Sequence, residues 1–178
     1  MNSSDTIESL KYPIGKFSPR DTYSQADLEA AIVVIETLPG RLEKLVSTFS
    51  PIQWETPYRE GGWTARQVVH HISDSHLNAY VRIKWTLTED TPLIKAYEET
   101  LWAETPEISL DPALSINVLK ALHVKWTLLL RMIKPADLKR QFIHPETRKH
   151  VSIERMIALY AWHSEHHLAH LKIIADKT

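Results

Sequence analysis

Four stretches of this chain place apolar residues three and four positions apart, the period of one face of an α-helix. The first carries Leu28, Ala31, Val34, Ile35, Leu38, Leu42, Leu45 and Val46, after an N-cap residue type at Ser24. The second carries Val68, Ile72, Ala79, Ile83 and Leu87, after Thr64 with Gln67 at the capping-box spacing. The third carries Leu114, Val118, Leu122, Trp126, Leu129 and Ile133, after Asp111 and a proline at the first helical position. The fourth starts from Ser152 and runs to about Ala175. Strand signal is confined to a small hairpin expected over 142–151. Four long amphipathic helices without an internal repeat predict an all-α four-helix bundle, one domain over 1–178. The long connection 93–111, with a short helix near Tyr97–Trp102, predicts a crossover between the second and third helices. Pro39-Gly40 should kink or split the first helix. Residues 1–23, punctuated by Pro13, Gly15 and Pro19, read as an irregular arm, and 50–63 as a loop.

The 178 residues suffice for a core without disulfide or metal staples. Twenty-one basic against 22 acidic residues give a net charge of −1, which lacks the basic excess of a nucleic-acid binder. There are 0 cysteines, which excludes disulfides, cysteine-based zinc modules, iron–sulfur ligation and thiol nucleophiles. The start MNSSDTIESL has no apolar h-region, and apolar runs such as 30–35 are far short of a membrane span. A cytoplasmic protein without membrane or nucleic-acid partners is expected.

The unusual feature is histidine. Of 10 histidines, His70, His71 and His76 lie together, as do His163, His166, His167 and His170. On a helical wheel centred on Ile153, His167 falls about 40° and His163 about 80° from the apolar centre. His170 falls at about 100°, on the boundary, and His166 at about 140°, facing solvent. Histidines four apart project the same way and can grip one ion at about 2.0–2.1 Å per bond. The duller reading is a pair of surface or hydrogen-bonded core histidines, and the density of histidines here weighs against it. Ser164 stands where a zincin needs its glutamate, and His166 where the inverted motif needs one, so a metalloprotease is not expected.

On the second helix, His76 lies near the apolar centre, while His71 shares a stripe with Gln67, Asp74, Asn78 and Arg82. Such a stripe is either solvated or the lining of a polar pocket. Periodicity does not choose between His71 and His76 as a third ligand. Three neutral histidines leave a tetrahedral ion one open position, the catalytic arrangement, in which a metal lowers the pKa of bound water or thiol.

Several segments together resemble the DinB/YfiT-like family: Tyr12-Pro-Ile-Gly-Lys-Phe, Thr56-Pro-Tyr-Arg-Glu-Gly-Gly-Trp-Thr64, Arg66-Gln-Val-Val-His-His71, Asp74-Ser-His-Leu-Asn78, His144-Pro-Glu146 and Tyr160 to His170. The resemblance covers about Tyr12 to Leu171 and is nearest to the YfiT branch of metal-dependent hydrolases and bacillithiol S-transferases. It implies a four-helix bundle with a crossover, often a homodimer. It also implies one divalent metal, zinc or nickel, on a histidine of the second helix and an HxxxH pair on the last. Carried over, these are His71, His163 and His167.

The expectation is a mononuclear metal-dependent enzyme acting on a small molecule, as a low-molecular-weight-thiol S-transferase or a hydrolase. Arg82, on the His71 stripe, is a candidate for an anionic substrate group. Asp74 and Asn78 are candidates to orient ligands from behind. The competing expectation is a non-catalytic bundle for self- or partner association, its histidines incidental or holding a structural metal. A fourth protein ligand, such as His76 or His170, would favour that alternative.

Overall fold

Seven α-helices, two short 3-10 turns (Pro106–Ser109 and Asp137–Lys139) and one hairpin form among the described residues, 3–177, of the computed structural model: α1 (Ser3–Lys11), α2 (Gln25–Val46), α3 (Pro51–Glu55), α4 (Ala65–Thr88), α5 (Glu99–Trp102), α6 (Ala113–Met132), β1 (Gln141–Ile143), β2 (His150–Ser152) and α7 (Ile153–Ala175). Each long helix starts where a side chain replaces a missing backbone partner. Ser24 Oγ accepts from the Asp27 amide, and the Asp27 carboxylate accepts from the Ser24 amide. Thr64 and Gln67 make the same reciprocal pair at α4. Asp111 Oδ1 accepts from the Ala113 amide at α6, and Ser152 Oγ accepts from the Arg155 amide at α7.

Contacts between the helices fix their directions. Arg131 on α6 bridges Glu29 and Glu36 on α2, and Lys120 reaches Glu43, so α2 and α6 run antiparallel. On α4, His70 meets Ser115 and His76 meets His123, so α4 and α6 run parallel. Ser75 meets Tyr160 while His71 lies against His167, so α4 and α7 are antiparallel. α2 and α7 run parallel, Leu28 sharing a core cluster with Ile157 and Arg41 pairing with Glu165. The order is therefore up, down, down, up, and residues 89–112 must carry the chain back along the bundle. At 1.5 Å per residue α4 is about 36 Å long, which explains why that connection is long. The hairpin pairs Phe142 with Val151 and closes the end where α6 gives way to α7.

The apolar core is interrupted. One cluster gathers Ile83, Trp126, Phe142 and Ile157, and a second gathers Leu42, Val69, Leu119 and Leu171. Between them, on α4, α6 and α7, lies a layer of buried histidines: His71, His76, His123 and His167. α6 is the one helix among the described residues long and apolar enough to cross a membrane, but its inner face, with Leu119, Trp126 and Leu130, is used in the bundle.

Three local expectations need correction. The arm is not wholly irregular, because α1 occupies Ser3–Lys11. The loop 50–63 contains α3, capped by Ser50 with Gln53 and carrying Pro51 at its first turn. Pro39 does not split α2, which runs unbroken through it. Proline lacks the amide that would bond the carbonyl four residues back, here Ile35. His123 Nδ1 lies 2.6 Å from that oxygen and takes the vacated place.

Candidate metal centre

α4 and α7, antiparallel neighbours, bring His71, His163 and His167 together, with one ring nitrogen of each within 4.8 Å of the others. Tetrahedral ligation at 2.0–2.1 Å per bond places nitrogens about 3.4 Å apart, which lies inside that limit. The two α7 histidines lie one turn apart on one face, their ring centroids 4.4 Å apart. His71 comes from α4, its ring 4.5 Å from Trp63 and 5.4 Å from His163.

The wall beside these rings is set by the turn before α4. Pro57 and Thr64 pair across it, and the Tyr58 amide donates to the Trp63 carbonyl. Gly61 sits at φ +62, and a Cβ on Gly62 would stand 2.8 Å from Arg59 Cγ and 3.2 Å from the Arg59 carbonyl. The two glycines thus permit a turn that places Trp63 on His71 and stacks Tyr58 on His170 at 3.9 Å. The pocket in front has a volume of about 340 Å³, and its lining includes Lys11, Tyr12, Trp63, Glu99 and the histidines.

Burial decides the charge of the rings. It pushes His71 down to about 4, with His166 and His170 adding repulsion. It also holds His163 and His167 well below the ordinary histidine range. All three are therefore neutral near pH 7, the state in which imidazole ligates a metal. The donor set, its spacing and its protonation fit one divalent ion.

Of the other expected residues, Arg82 is buried but lines an adjoining pocket of about 290 Å³, together with Tyr97, Glu99, His144 and Glu146. Its Nη2 donates to the Lys95 carbonyl, and its guanidinium lies over Tyr97. Asp74 and Asn78 are not among the residues lining the histidine pocket. Burial, with help from Glu107, raises the Asp74 carboxyl to about 6, and Asn78 Nδ2 donates to the Asp74 carbonyl within α4.

His166 does not face solvent. It is 7% exposed, stacked on Trp162 and near Tyr12, because the arm folds back over α7. The arm is held by Trp162 Nε1, which donates to the Gly15 carbonyl, and by His170 Nε2, 3.2 Å from the Lys11 carbonyl. His76 lies behind the cluster, its Nε2 3.2 Å from His163 Nδ1 and its Nδ1 2.9 Å from His123 Nε2. Sequence reasoning missed His123 and Glu99. The signal for His123 was Pro39, which advertises a spare carbonyl at Ile35. Glu99, whose carboxyl is raised by burial and restrained by Arg82, lines both pockets and carries no sequence signal of its own.

The DinB superfamily model matches residues 35–171. The chain belongs to the DinB superfamily. It is 44% identical over 167 residues to the Bacillus subtilis protein named "Putative metal-dependent hydrolase YfiT", covering 93% of this chain and 94% of that one. A similarly named Oceanobacillus iheyensis protein is 45% identical over 167 residues, covering 94% and 96%. The solved structure of Bacillus subtilis YfiT, described as an unusual four-helix bundle, superposes with a TM-score of 0.93 at 43% identity, covering 95% of this chain and 97% of that one. A mycothiol-dependent maleylpyruvate isomerase is similar in fold at a TM-score of 0.59 and 14% identity, over 78% of this chain and 60% of that one.

Proposed function

We propose that this chain is a metal-dependent enzyme in which His71, His163 and His167 hold one divalent ion, zinc or nickel, with a position left open to the pocket. The observation that carries the reading is the convergence of three neutral, buried histidines on a pocket that has room for a small molecule. A bound ion supplies Lewis acidity, which lowers the pKa of a coordinated water or thiol so that a nucleophile forms near neutral pH. With water as nucleophile the reaction is hydrolysis, the activity in the names of the relatives. With a low-molecular-weight thiol it is S-transfer to an electrophilic small molecule.

The chain's own residues do the positioning. Trp63 restricts the His71 ring and shields the cluster. Glu99, at the seam of the two pockets, is placed to take a proton from an incoming nucleophile. Its raised pKa suits that task. Arg82, in the adjoining pocket with Tyr97 and His144, is placed to anchor an anionic group of the substrate. Asp74 and Asn78 would act only through the packing of α4.

The test is metal content on untagged protein purified without added metal. About one equivalent of zinc or nickel per chain, lost in His71→Ala, His163→Ala and His167→Ala, is expected. Thiol-transfer and ester or amide hydrolysis screens on the loaded protein then separate the two reactions. No metal, and no tight uptake when it is offered, would sink the reading.

A further inference from the structure

Behind the cluster runs a line of polar contacts through the driest part of the bundle. It begins at the Ile35 carbonyl, which Pro39 leaves without its helical partner. A carbonyl oxygen can only accept, so His123 Nδ1, 2.6 Å away, carries the proton. A neutral imidazole has one donor and one acceptor, so His123 Nε2 is the acceptor. His76 Nδ1, 2.9 Å away, must then donate to it. That leaves His76 Nε2 as an acceptor, and His163 Nδ1, at 3.2 Å, donates in turn. The last nitrogen in the series, His163 Nε2, is left with a free lone pair.

We propose that His76 and His123 are positioning residues that lock His163 in its Nδ1–H tautomer, so that its Nε2 lone pair is presented to the metal. One fixed acceptor at Ile35 dictates every proton along the line, and reversing one ring would set two donors or two acceptors face to face. The rings that transmit this order are held rigidly. His76 and His123 stack at 4° between planes, and Trp126 meets both edge-on, at 84° and 87°. His76 is 0% and His123 1% exposed, so both rings are shielded from bulk water in the folded protein. Ser75 Oγ lies 3.4 Å from His163 Nε2 and 3.3 Å from Tyr160 Oη, so its hydroxyl can turn to Tyr160 and leave the Nε2 lone pair to the ion.

The inference rests on the proposed metal site, but its first test does not. Long-range proton–nitrogen NMR correlations on metal-free, ¹⁵N-histidine-labelled protein report the tautomer of each ring. The Nδ1–H form is expected for His163, His76 and His123. An Nε2–H form of His163, or rapid averaging between the two, overturns the proposal whatever the variants do. The second test is metal affinity by chelator competition. His76→Phe keeps the ring volume, removes the acceptor, and is expected to weaken zinc binding by about 10–100-fold. His76→Gln, which restores an acceptor and a donor, is expected to recover most of that loss. Wild-type affinity in His76→Phe overturns the proposal and leaves the site standing. Failure of the wild-type protein itself to bind zinc sinks the site, while the tautomer measurement still judges the relay.

Discussion

The two metal-ligand candidates on α7 are backed in different ways. His163 leans on His76 and His123, a line that ends on Ile35 deep between α2 and α6. His167 leans on His170 alone, Nδ1 to Nδ1 at 3.4 Å, and that line ends on the Lys11 carbonyl at the last turn of α1. The inner line tightens as it goes inward, from 3.2 to 2.9 to 2.6 Å. The outer line shortens only from 3.4 to 3.2 Å, and it depends on an arm laid over the bundle. Both lines end on a carbonyl that its own helix leaves unpaired, one beside a proline and one at a C-terminus. The difference lies in what holds that carbonyl. Inside, the far end is a carbonyl of a bundle helix; outside, it is a carbonyl of the arm, which can lift away as a unit.

That contrast can be broken or sharpened experimentally. The largest effect is expected from His123→Ala, which opens a cavity and strands the Ile35 carbonyl and His76 Nδ1. It should cost about 3 kcal/mol in chemical denaturation and weaken zinc binding as His76→Phe does. Deleting residues 1–16 should leave the bundle folded by circular dichroism. His166 and His170, now held near pKa 4 by burial, should move up toward 6.5 by NMR titration. Zinc affinity should change by less than about tenfold. A loss as large as that of His76→Phe would erase the distinction between the lines. His170→Phe keeps the stack on Tyr58 and removes the outer link, so an affinity change of about threefold is expected.

Acidification probes both lines at once. Burial lowers His71, His123, His166 and His170 from 6.5 to about 4, so between these values the unfolded chain binds more protons than the folded one. The metal-free protein should therefore lose stability as pH falls from 6.5 toward 4 and gain none above 7. Melting temperature across that range is the measurement, and a flat profile would contradict the neutral, buried rings. Smallest of all is Pro39→Ala. The restored amide shares the Ile35 carbonyl with His123, which should shift the His123 nitrogen resonances while zinc affinity stays within about threefold.

The frame was legible in the chain because its signals are local. Ser24, Thr64 and Ser152 cap the helices that their spacing announces, and the 142–151 hairpin forms where expected. The crossover was legible from length alone. The errors share one cause, which is that tertiary contacts are invisible to a wheel. His166 lies off the apolar face of α7, and Trp162 together with the arm residue Tyr12 covers it. Pro39 was read as a helix breaker because its compensation, His123, comes from another helix. Periodicity could not choose between His71 and His76 because both rings are buried on the inner side of α4, one in the cluster and the other behind it.

The up, down, down, up order has a consequence for how the molecule is made. His71 leaves the ribosome with α4, while His163 and His167 arrive only with the last helix. At roughly 5–20 residues per second, that interval is on the order of ten seconds. Throughout it, Ile72 and Ile83 on α4 await Leu171 and Ile157 of α7, their partners in the two core clusters. A nascent chain therefore brings the three histidines together only once α7 has emerged.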